Sequence, residues 1–171
     1  MDTRVISIIV AMDRNRVIGR NNRLPWGKIR SDLKRFNLYT MGHDMIMGRS
    51  TFESLPDVLD GRHHIIMSRS REYSVVNSKC TVVHTVDEAL SATRCANEVF
   101  VIGGAEIYSL FFPMARFLYI TTVDGEFEGD TLFPEWDRVE WKPASTVEVP
   151  ISQNEIPTSF RVWERTEALR L

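Results

Sequence analysis

Cysteine and histidine are scarce in this chain. Cys80 and Cys95 are the only cysteines among 171 residues, and their spacing fits neither a CxxC pair nor a zinc-binding set. We interpret both as reduced structural thiols, because disulfides are rare in cytosolic proteins. Of the four histidines, His63 and His64 are adjacent in a predicted strand, where their side chains point to opposite faces and cannot easily share a metal ion. We therefore expect no metal site.

A strong charge of one sign and a long apolar run are also missing. The net charge of −2 gives no reason to expect a nucleic acid or a membrane as partner. No run reaches the ~18 apolar residues of a membrane span, and the N-terminal stretch MDTRVISIIVAMDRNRVIG lacks the layout of a signal peptide. We expect a soluble, cytoplasmic protein, and its 171 residues suit a single domain over residues 1–171.

Short apolar runs alternate with helical patterns up to residue 113. The predicted strands are 5–12, 44–48, 63–68, 81–84, 98–104 and 116–123, with weaker candidates at 139–148 and 159–165. The predicted helices are 31–40, 49–55, 86–95 and 104–112. This alternation predicts an α/β fold with a doubly wound, mostly parallel sheet, whose strands are apolar on both faces. Because the helical patterns stop after residue 113, we expect the last strands to pair antiparallel at one edge.

Glycine, serine and arginine follow several predicted strands at their carboxyl ends, where open α/β sheets bind ligands. In IMGRST, Gly48 permits a tight turn, and Arg49, Ser50 and Thr51 stand at the start of a predicted helix. The free N–H groups and the dipole of a helix start favour an anion. An ordinary N-cap by Ser50 or Thr51 explains these residues equally well.

A second cluster, IMSRSR, places Ser68, Arg69 and Arg71 after another strand. Arginine matches phosphate with two parallel hydrogen bonds, although a surface arginine without a ligand is the commoner case. Two such clusters together indicate one phosphorylated ligand, such as an adenosine with a 2′-phosphate. In VIGGAEIY, the pair Gly103-Gly104 allows a pyrophosphate to approach the backbone. The fingerprint GxGxxG is missing, however, and a plain tight turn is the alternative.

Asp32 is the carboxylate of the stretch RLPWGKIRSDL and stands in the first turn of a predicted helix, with Ser31 as a candidate N-cap. A carboxylate there is favoured by the helix dipole by roughly 0.3–1 kcal/mol, which is the commonest reason for such an aspartate. The same helix turns Leu33 and Phe36 toward the core. If Asp32 leans into an apolar cleft, its pKa rises, which suits proton chemistry and the binding of two adjacent N–H donors.

Seven motifs occur in a fixed order between Ile6 and Arg165: AMDRNRVIGRNNRLPW, DLKRF, IMGRSTFESLP, DGRHHIIMSR, VIGGAEIY, YITTVDGEFEGDTLFP and SFRVWER. In this order and spacing, the chain resembles dihydrofolate reductase over nearly its whole length. The resemblance implies a mostly parallel eight-stranded sheet with an antiparallel C-terminal edge, flanked by four helices. It also implies NADPH-dependent reduction of 7,8-dihydrofolate to tetrahydrofolate, by hydride transfer to C6 of the pterin and protonation of N5.

The resemblance assigns catalytic roles to Asp32, Thr121, Tyr108 and Trp26. Asp32 resembles the single pocket carboxylate that binds the 2-amino group and N3 of the pterin, and Thr121 the hydroxyl that supports it. Arg62 matches the arginine that binds the α-carboxylate of the glutamate tail. The apolar walls of the folate site correspond to Ile9, Val10, Leu33, Phe36, Leu55, Leu59 and Ile102. Between Trp26 and Asp32 the chain is one residue longer than common bacterial members.

The implied cofactor is NADPH, and its predicted contacts are Ala11, Ile18, Gly19, Gly48, Arg49, Ser50, Thr51, Ser68, Arg69, Ile102, Gly103, Gly104, Ala105, Glu106 and Ile107. Ser68 and Arg69 match the 2′-phosphate site, and Gly103-Gly104 resembles the family's cis Gly–Gly bond. Residues 18–26 resemble the mobile loop that closes over the nicotinamide, and Asp130 the acidic residue that steadies this loop. The resemblance also implies a monomer that binds dihydrofolate and antifolate inhibitors.

Two other functions share parts of this pattern, since a fold does not fix a substrate. A reductase of the same fold could act on another pterin-like or pyrimidine intermediate. Asp32 and Arg62 together separate the two, because the first reads a pteridine edge and the second a glutamate carboxylate. A non-enzymatic nucleotide-binding module would have lost the pocket carboxylate, which this sequence keeps.

Overall fold

An eight-stranded sheet forms the centre of the computed structural model, which describes residues 4–94, 97–144 and 153–166. In chain order, the strands are β1 (Val5–Met12), β2 (Val17–Gly19), β3 (Asp44–Gly48), β4 (His63–Met67), β5 (Cys80–Val83), β6 (Glu98–Gly103), β7 (Phe117–Val123), β8 (Thr131–Leu132), β9 (Trp141–Ala144) and β10 (Thr158–Arg165). The same ranges contain the helices α1 (Arg30–Thr40), α2 (Arg49–Ser54), α3 (Val86–Ser91) and α4 (Ala105–Phe111). None of these helices is long and apolar enough to cross a membrane.

The sheet is parallel over most of its width. Its strand order is β5-β4-β3-β6-β1-β7-β10-β9, with parallel pairing from β5 to β7. Strands β10 and β9 pair antiparallel at one edge, because parallel neighbours would need long crossover connections. This arrangement confirms the predicted fold class. Of the predicted strand 139–148, residues 145–148 lie outside the described residues.

A second, two-stranded sheet of β2 and β8 is not predicted from the sequence. Its strands have three and two residues, too few for a hydrophobic period to be visible. The pairing brings the loop after β1 against the loop after β7. Gly129 approaches β2 so closely here that an added Cβ would lie 2.6 Å from the Gly19 carbonyl oxygen.

The start of α1 differs from the prediction that Ser31 is its N-cap. The helix begins at Arg30, and Ile29 occupies the N-cap position. The backbone N–H of Ser31 donates to a carboxylate oxygen of Glu155 at 3.1 Å. A residue distant in sequence therefore satisfies one of the free N–H groups of this helix start.

The other helices lie where they are predicted, with differences at their ends. α2 begins directly after Gly48, which occupies the N-cap position, so Ser50 and Thr51 lie inside the helix rather than at its cap. α3 ends at Ser91, earlier than predicted. Cys95, the predicted end of that helix, lies outside the described residues. Because Gly48 occupies the N-cap position of α2, the proposed capping role of Ser50 or Thr51 is wrong.

The hydrophobic core lies on both faces of the sheet, because helices and loops cover the parallel strands twice. On one face, Ile8 and Ile46 are fully buried with Phe111 of α4. On the other face, Met45 and Met47 of β3 are fully buried in a second cluster. Successive residues of one strand thus serve the two cores, which explains the continuous apolar runs of the sequence.

The adjacent histidines of β4 are buried and contact different partners. His63 contacts Asp44 Oδ1 at 3.0 Å and Thr81 Oγ1 at 2.8 Å. His64 Nε2 accepts a hydrogen bond from the Leu59 N–H at 3.1 Å. Burial lowers the pKa of both imidazoles, and their hydrogen bonds offset this only in part. Both side chains are therefore neutral at pH 7.

Acidification should destabilise the fold through His64. Its pKa is lower in the folded chain than the ~6.5 of an unfolded histidine, so the unfolded chain binds the proton first. The free energy of unfolding therefore decreases as the pH falls from about 6.5 through the folded pKa. Urea denaturation between pH 5 and 8 should show a smaller decrease for His64→Gln than for the original chain. Parallel pH curves for the two proteins would contradict this origin.

Candidate active site

The segments after β3 and β6 lie side by side at the carboxyl ends of the sheet. The register pairs Met47 with Gly103, and an added Cβ at Gly48 would lie 3.1 Å from Ile107 Cγ1. Ser50 and Thr51 lie in the first turn of α2, and Ala105, Glu106 and Ile107 in that of α4. The two glycine motifs therefore lie side by side at the edge of the sheet where open α/β folds bind ligands.

Asp32 lies in a cleft between the start of α1 and β7. Its Oδ1 accepts a hydrogen bond of 2.7 Å from Thr121 Oγ1, and its side chain is 16% exposed. Burial raises the pKa of this carboxyl, while the Thr121 hydrogen bond and the positive charge of Arg35 oppose the rise. Asp32 is thus a carboxyl group that a ligand can reach and whose ionisation depends on its neighbours.

Arg35 is missing from the predicted site, although its position three residues after Asp32 places it on the same helix face. Its side chain is 4% exposed, and Nη1 lies 3.5 Å from Asp32 Oδ1. Nη1 also donates to Thr121 Oγ1 at 3.1 Å. The guanidinium carbon lies 4.5 Å from the centre of the Phe160 ring. The i,i+3 spacing from Asp32 is the sequence signal that could have identified it.

Trp26 is buried beside the cleft, with Ile29 and Val123 as neighbours. The Phe127 ring stands edge-on to it at 5.5 Å between centres. Its indole Nε1 is buried, and it has no acceptor within the part of the chain that the structure describes. Buried donors of this kind bond to water or to a ligand when protein offers no partner. Gly27 follows with φ +77°, so a left-handed residue begins the longer connection to Asp32.

Tyr108 is buried behind the glycine pair. Its hydroxyl donates to the Ile9 carbonyl oxygen at 2.9 Å, and burial raises its pKa far above the usual range, so it stays protonated. The Gly103–Gly104 bond is cis, which confirms the prediction. Gly103 has φ +123°, and an added Cβ there would lie 3.3 Å from the Tyr108 oxygen. The hydroxyl of Tyr108 is therefore committed to the backbone of β1.

Most of the predicted apolar wall lies in one cluster. The buried methionines of β3 pack against Phe36, Leu55, Leu59 and Ile102. Ile9 lies on β1 with 8% exposure. Val10 belongs to the cluster on the opposite face, so only its backbone can contribute to this wall. Leu33 is 40% exposed, so the predicted wall faces solvent at this residue.

Arg62 is fixed near the end of α1. Its Nη1 donates to Asn37 Oδ1 at 2.7 Å and to Thr40 Oγ1 at 3.1 Å. Its Nε donates to the Asp60 carbonyl oxygen at 3.1 Å. Burial lowers the pKa of this guanidinium, but an arginine remains charged at neutral pH. These contacts hold a cation close to the Phe36 ring, whose centre lies 6.0 Å away.

The predicted phosphate arginines are exposed and paired with glutamates. Arg49 Nε donates to Glu53 Oε1 at 2.8 Å, and Arg69 Nη2 donates to Glu106 Oε2 at 2.6 Å. Exposed pairs contribute about 0–1 kcal/mol, so either arginine can exchange its glutamate for a phosphate. Ser68, directly after β4, is buried beneath this surface.

Asp130 contacts the loop of residues 18–26, as predicted. Its N–H donates to the Gly19 carbonyl oxygen at 3.0 Å, and its Oδ2 accepts a hydrogen bond from the Asn21 N–H at 2.9 Å. The hydrogen bond from Asn21 is the main reason why the pKa of Asp130 is lowered. Ile18 and Gly19 lie in β2, and Ala11 packs with the Trp26 cluster. Two of the predicted nicotinamide contacts thus lie in this loop, and Ala11 lies on the adjoining strand β1.

Asp13 is a second residue missing from the predicted site. It is almost fully buried, and its Oδ1 accepts hydrogen bonds from the N–H groups of Asn15 at 2.8 Å and Val17 at 2.9 Å. Its Oδ2 accepts one from the Phe127 N–H at 2.9 Å. Asp13 therefore joins the loop after β1 to the loop after β7. Aspartate side chains commonly accept a hydrogen bond from the backbone N–H two residues on, and this turn chemistry could have indicated its role.

Comparison with known proteins gives one family. The family model described as dihydrofolate reductase matches residues 5–165. The chain is 44% identical over 142 residues to dihydrofolate reductase of Bacillus subtilis (strain 168), with 83% of each chain covered. It is 40% identical over 156 residues to that of Neisseria gonorrhoeae, covering 91% of this chain and 94% of the relative. The solved structure of dihydrofolate reductase from Enterococcus faecalis complexed with NADP(H) and RAB-propyl has a TM-score of 0.85 and 28% identity, covering 95% of this chain and 97% of that one.

Gly129→Ala should destabilise the fold more than Gly19→Ala, which alters the other side of the same contact. An alanine Cβ at 129 would lie 2.2 Å from Val17 Cγ1, whereas the nearest atom to one at 19 is Thr131 Cβ at 3.4 Å. Overpacking costs roughly 1–3 kcal/mol, and urea denaturation should show a loss of this size for Gly129→Ala only. Equal losses in both variants would contradict the close approach.

Proposed function

The chain belongs to the dihydrofolate reductase family, and from this premise we propose that it reduces 7,8-dihydrofolate to 5,6,7,8-tetrahydrofolate in the cleft of Asp32, with NADPH as reductant. The observation that carries the proposal is the buried carboxylate of Asp32, hydrogen-bonded to Thr121 at 2.7 Å and still open to a ligand. The product would serve one-carbon metabolism as tetrahydrofolate.

Asp32 would bind the pterin through its 2-amino group and N3. A carboxylate matches two adjacent N–H donors with its two oxygens. Its negative charge beside the ring favours a proton on N5, which a water molecule would deliver. Trp26, whose buried Nε1 lacks an acceptor in the described ranges, offers a donor that can hold such a water. Tyr108 supports the pocket indirectly, since its hydroxyl binds the Ile9 carbonyl.

The strand ends suit a phosphorylated dinucleotide. Two exposed arginines, Arg49 and Arg69, lie within two residues in sequence of Ser50, Thr51 and Ser68, and this donor set matches phosphate groups. When bound, NADPH supplies the hydride that C6 of the pterin accepts. The chain's part is to bind the phosphates, to admit the nicotinamide beside the cis Gly103–Gly104 bond, and to exclude water with the loop of residues 18–26.

Arg62 would bind the glutamate tail of the substrate. Its guanidinium is held by Asn37, Thr40 and the Asp60 carbonyl, so it is preorganised for a carboxylate. Phe36, which belongs to the same apolar cluster as Leu55 and Leu59, has its ring centre 6.0 Å from this guanidinium carbon. Antifolate inhibitors are expected to compete for the same cleft.

The rival functions are separated by one assay. Purified protein with NADPH and dihydrofolate should show loss of the NADPH absorbance. A folded protein without activity above background would contradict the proposal and leave a nucleotide-binding module. Activity only with pterins that lack the glutamate tail would favour the second reductase, because Arg62 would then have no carboxylate to bind.

Location and oligomeric state are extensions of this proposal. A cytoplasmic location is supported by the free thiol of Cys80, since cysteines stay reduced in that compartment. A monomer and a single domain over residues 1–171 stay predictions as well. Cell fractionation and analytical ultracentrifugation would test location and oligomeric state.

Asp32→Asn should fold nearly normally and bind NADPH, but lose turnover of dihydrofolate by roughly 10²–10⁴-fold, the range for losing a group that assists proton transfer. At low pH, where the substrate is protonated in solution, part of this loss should be recovered. Asp87→Asn is the matched control, because Asp87 is an exposed aspartate in the first turn of α3. If Asp32→Asn only unfolded more easily and its folded fraction kept full turnover, Asp32 would be no more than a helix-dipole partner.

Arg69→Ala should raise the KM for NADPH about tenfold, because it removes a charged partner worth ~1.4 kcal/mol or more to the 2′-phosphate. The KM for NADH, which lacks that phosphate, should stay the same. Arg71→Ala removes a neighbouring exposed arginine and should raise the KM for NADPH less than Arg69→Ala does. Equal effects of Arg69→Ala on both cofactors would remove the 2′-phosphate assignment.

A further inference from the structure

Arg35, Thr121 and Asp32 form a hydrogen-bonded chain with a single direction. Arg35 Nη1 donates to Thr121 Oγ1 at 3.1 Å, and Thr121 Oγ1 lies 2.7 Å from Asp32 Oδ1. A guanidinium has donors only, and a hydroxyl has one hydrogen. Because Arg35 occupies an acceptor position of the Thr121 hydroxyl, the one hydrogen of that hydroxyl is left for Asp32.

The direction of this chain determines how Asp32 is presented. The Thr121 hydrogen bond and the 3.5 Å approach of Arg35 both involve Oδ1. Oδ2 takes part in neither contact and is left to the ligand, while Oδ1 keeps one lone pair that can accept a second N–H of the pterin. Neighbouring hydrogen bonds polarise one another in a buried site, which strengthens the donation to Asp32 when Arg35 is charged.

Arg35 is held in place by its surroundings. Its side chain is 4% exposed, and the guanidinium carbon lies 4.5 Å from the centre of the Phe160 ring, within the range of a cation–π interaction. Lys34, its neighbour on α1, is exposed to solvent. The guanidinium therefore cannot leave the cleft in the way that a surface arginine can.

The contacts of Arg35 are poor ones for stability. Its Nε is buried and lacks an acceptor among the residues that the structure describes, and an unmet buried donor destabilises the folded state. Its approach to Asp32 is longer than a normal charged hydrogen bond. Buried ion pairs can often be replaced by apolar residues without loss of stability. The arrangement therefore favours a role in the site over a role in the fold.

We propose that Arg35 is a positioning residue of the pocket, which directs the Thr121 hydroxyl to Asp32 Oδ1 and keeps Asp32 ionised with Oδ2 toward the substrate. The proposal rests on the function proposed above and deepens it, because it adds a buried cation that none of the sequence motifs assigns to the pocket.

The other groups around Asp32 come from three further elements. Thr121 of β7 donates its hydrogen bond, and Tyr108 of α4 is neutral because burial raises its pKa. Glu155, in the segment before β10, accepts the N–H of Ser31 next to Asp32 and brings a second negative charge. Burial raises the pKa of Asp32, and among these groups Arg35 supplies the positive charge that opposes it.

The ionisation of Asp32 can be measured without substrate, by ¹³C NMR of the aspartate carboxyl carbons, with the Asp32 signal assigned by its loss in Asp32→Asn. Arg35→Gln keeps a hydrogen-bond donor and removes the positive charge. Lys34→Gln is the matched control, because it removes a positive charge from the exposed neighbouring residue. We expect the Asp32 midpoint to move to higher pH in Arg35→Gln and to stay in Lys34→Gln. Arg35→Lys, which keeps the charge, should restore most of the original midpoint.

The same variants should differ in turnover. Less Asp32 is ionised in Arg35→Gln, because a nearby opposite charge has been removed. We therefore expect the ratio of kcat/KM for dihydrofolate between Arg35→Gln and the original chain to depend on pH. This ratio should be roughly threefold or more lower at about pH 6 than at pH 8. A purely structural role would lower the stability and leave this pH profile unchanged.

An unchanged Asp32 midpoint in folded Arg35→Gln would overturn the proposal. If that variant does not fold, Arg35→Met, whose flexible chain fills similar space, provides the same comparison. Failure of both variants to fold would make Arg35 a residue of the core and would also overturn the proposal. Since the titration needs no turnover, an original chain that fails to reduce dihydrofolate would refute the proposed function and not the effect of Arg35 on Asp32.

Discussion

The cleft is arranged around one constraint, which is that Asp32 has to carry its negative charge although burial disfavours the charged form. Asp32 is largely removed from water, and Thr121 and Arg35 offset part of the resulting rise of its pKa. These partners come from the next turn of α1 and from β7, and Phe160 of β10 flanks Arg35. The carboxylate therefore depends on how one helix docks on two neighbouring strands, one parallel and one antiparallel to the rest of the sheet.

Around this rigid centre, the chain uses two kinds of contact. The loops after β1 and β7 are joined through Asp13 and Asp130, whose carboxylates accept hydrogen bonds from backbone N–H groups. The cofactor side instead presents arginines in exposed pairs with Glu53 and Glu106, which cost little to break. Shape is thus fixed along the loops that would cover the nicotinamide, while charge stays available where phosphates would bind.

Much of the fold was predictable, because continuous apolar strands separated by helical patterns specify a parallel sheet covered on both faces. The motifs also identified Asp32 and Thr121, which the structure joins directly. Other features depend on contacts that no local pattern contains. Ser31 failed as a cap because Glu155 reaches its N–H from far along the chain. Arg35 has the spacing of a helix partner of Asp32, but its burial depends on Thr121 and Phe160, which come from far along the chain. β2 and β8 are too short for any period.

The hydrogen bond between Asp32 and Thr121 joins residues 89 positions apart. During synthesis, α1 leaves the ribosome long before β7, and Phe160 of β10 follows later still. Until β7 pairs with β1 and β10 pairs with β7, the aspartate and arginine of α1 have neither the hydroxyl between them nor the ring beside them. The cleft is therefore complete only once β10 is in place, and ligand binding reports on a chain that has folded through to β10.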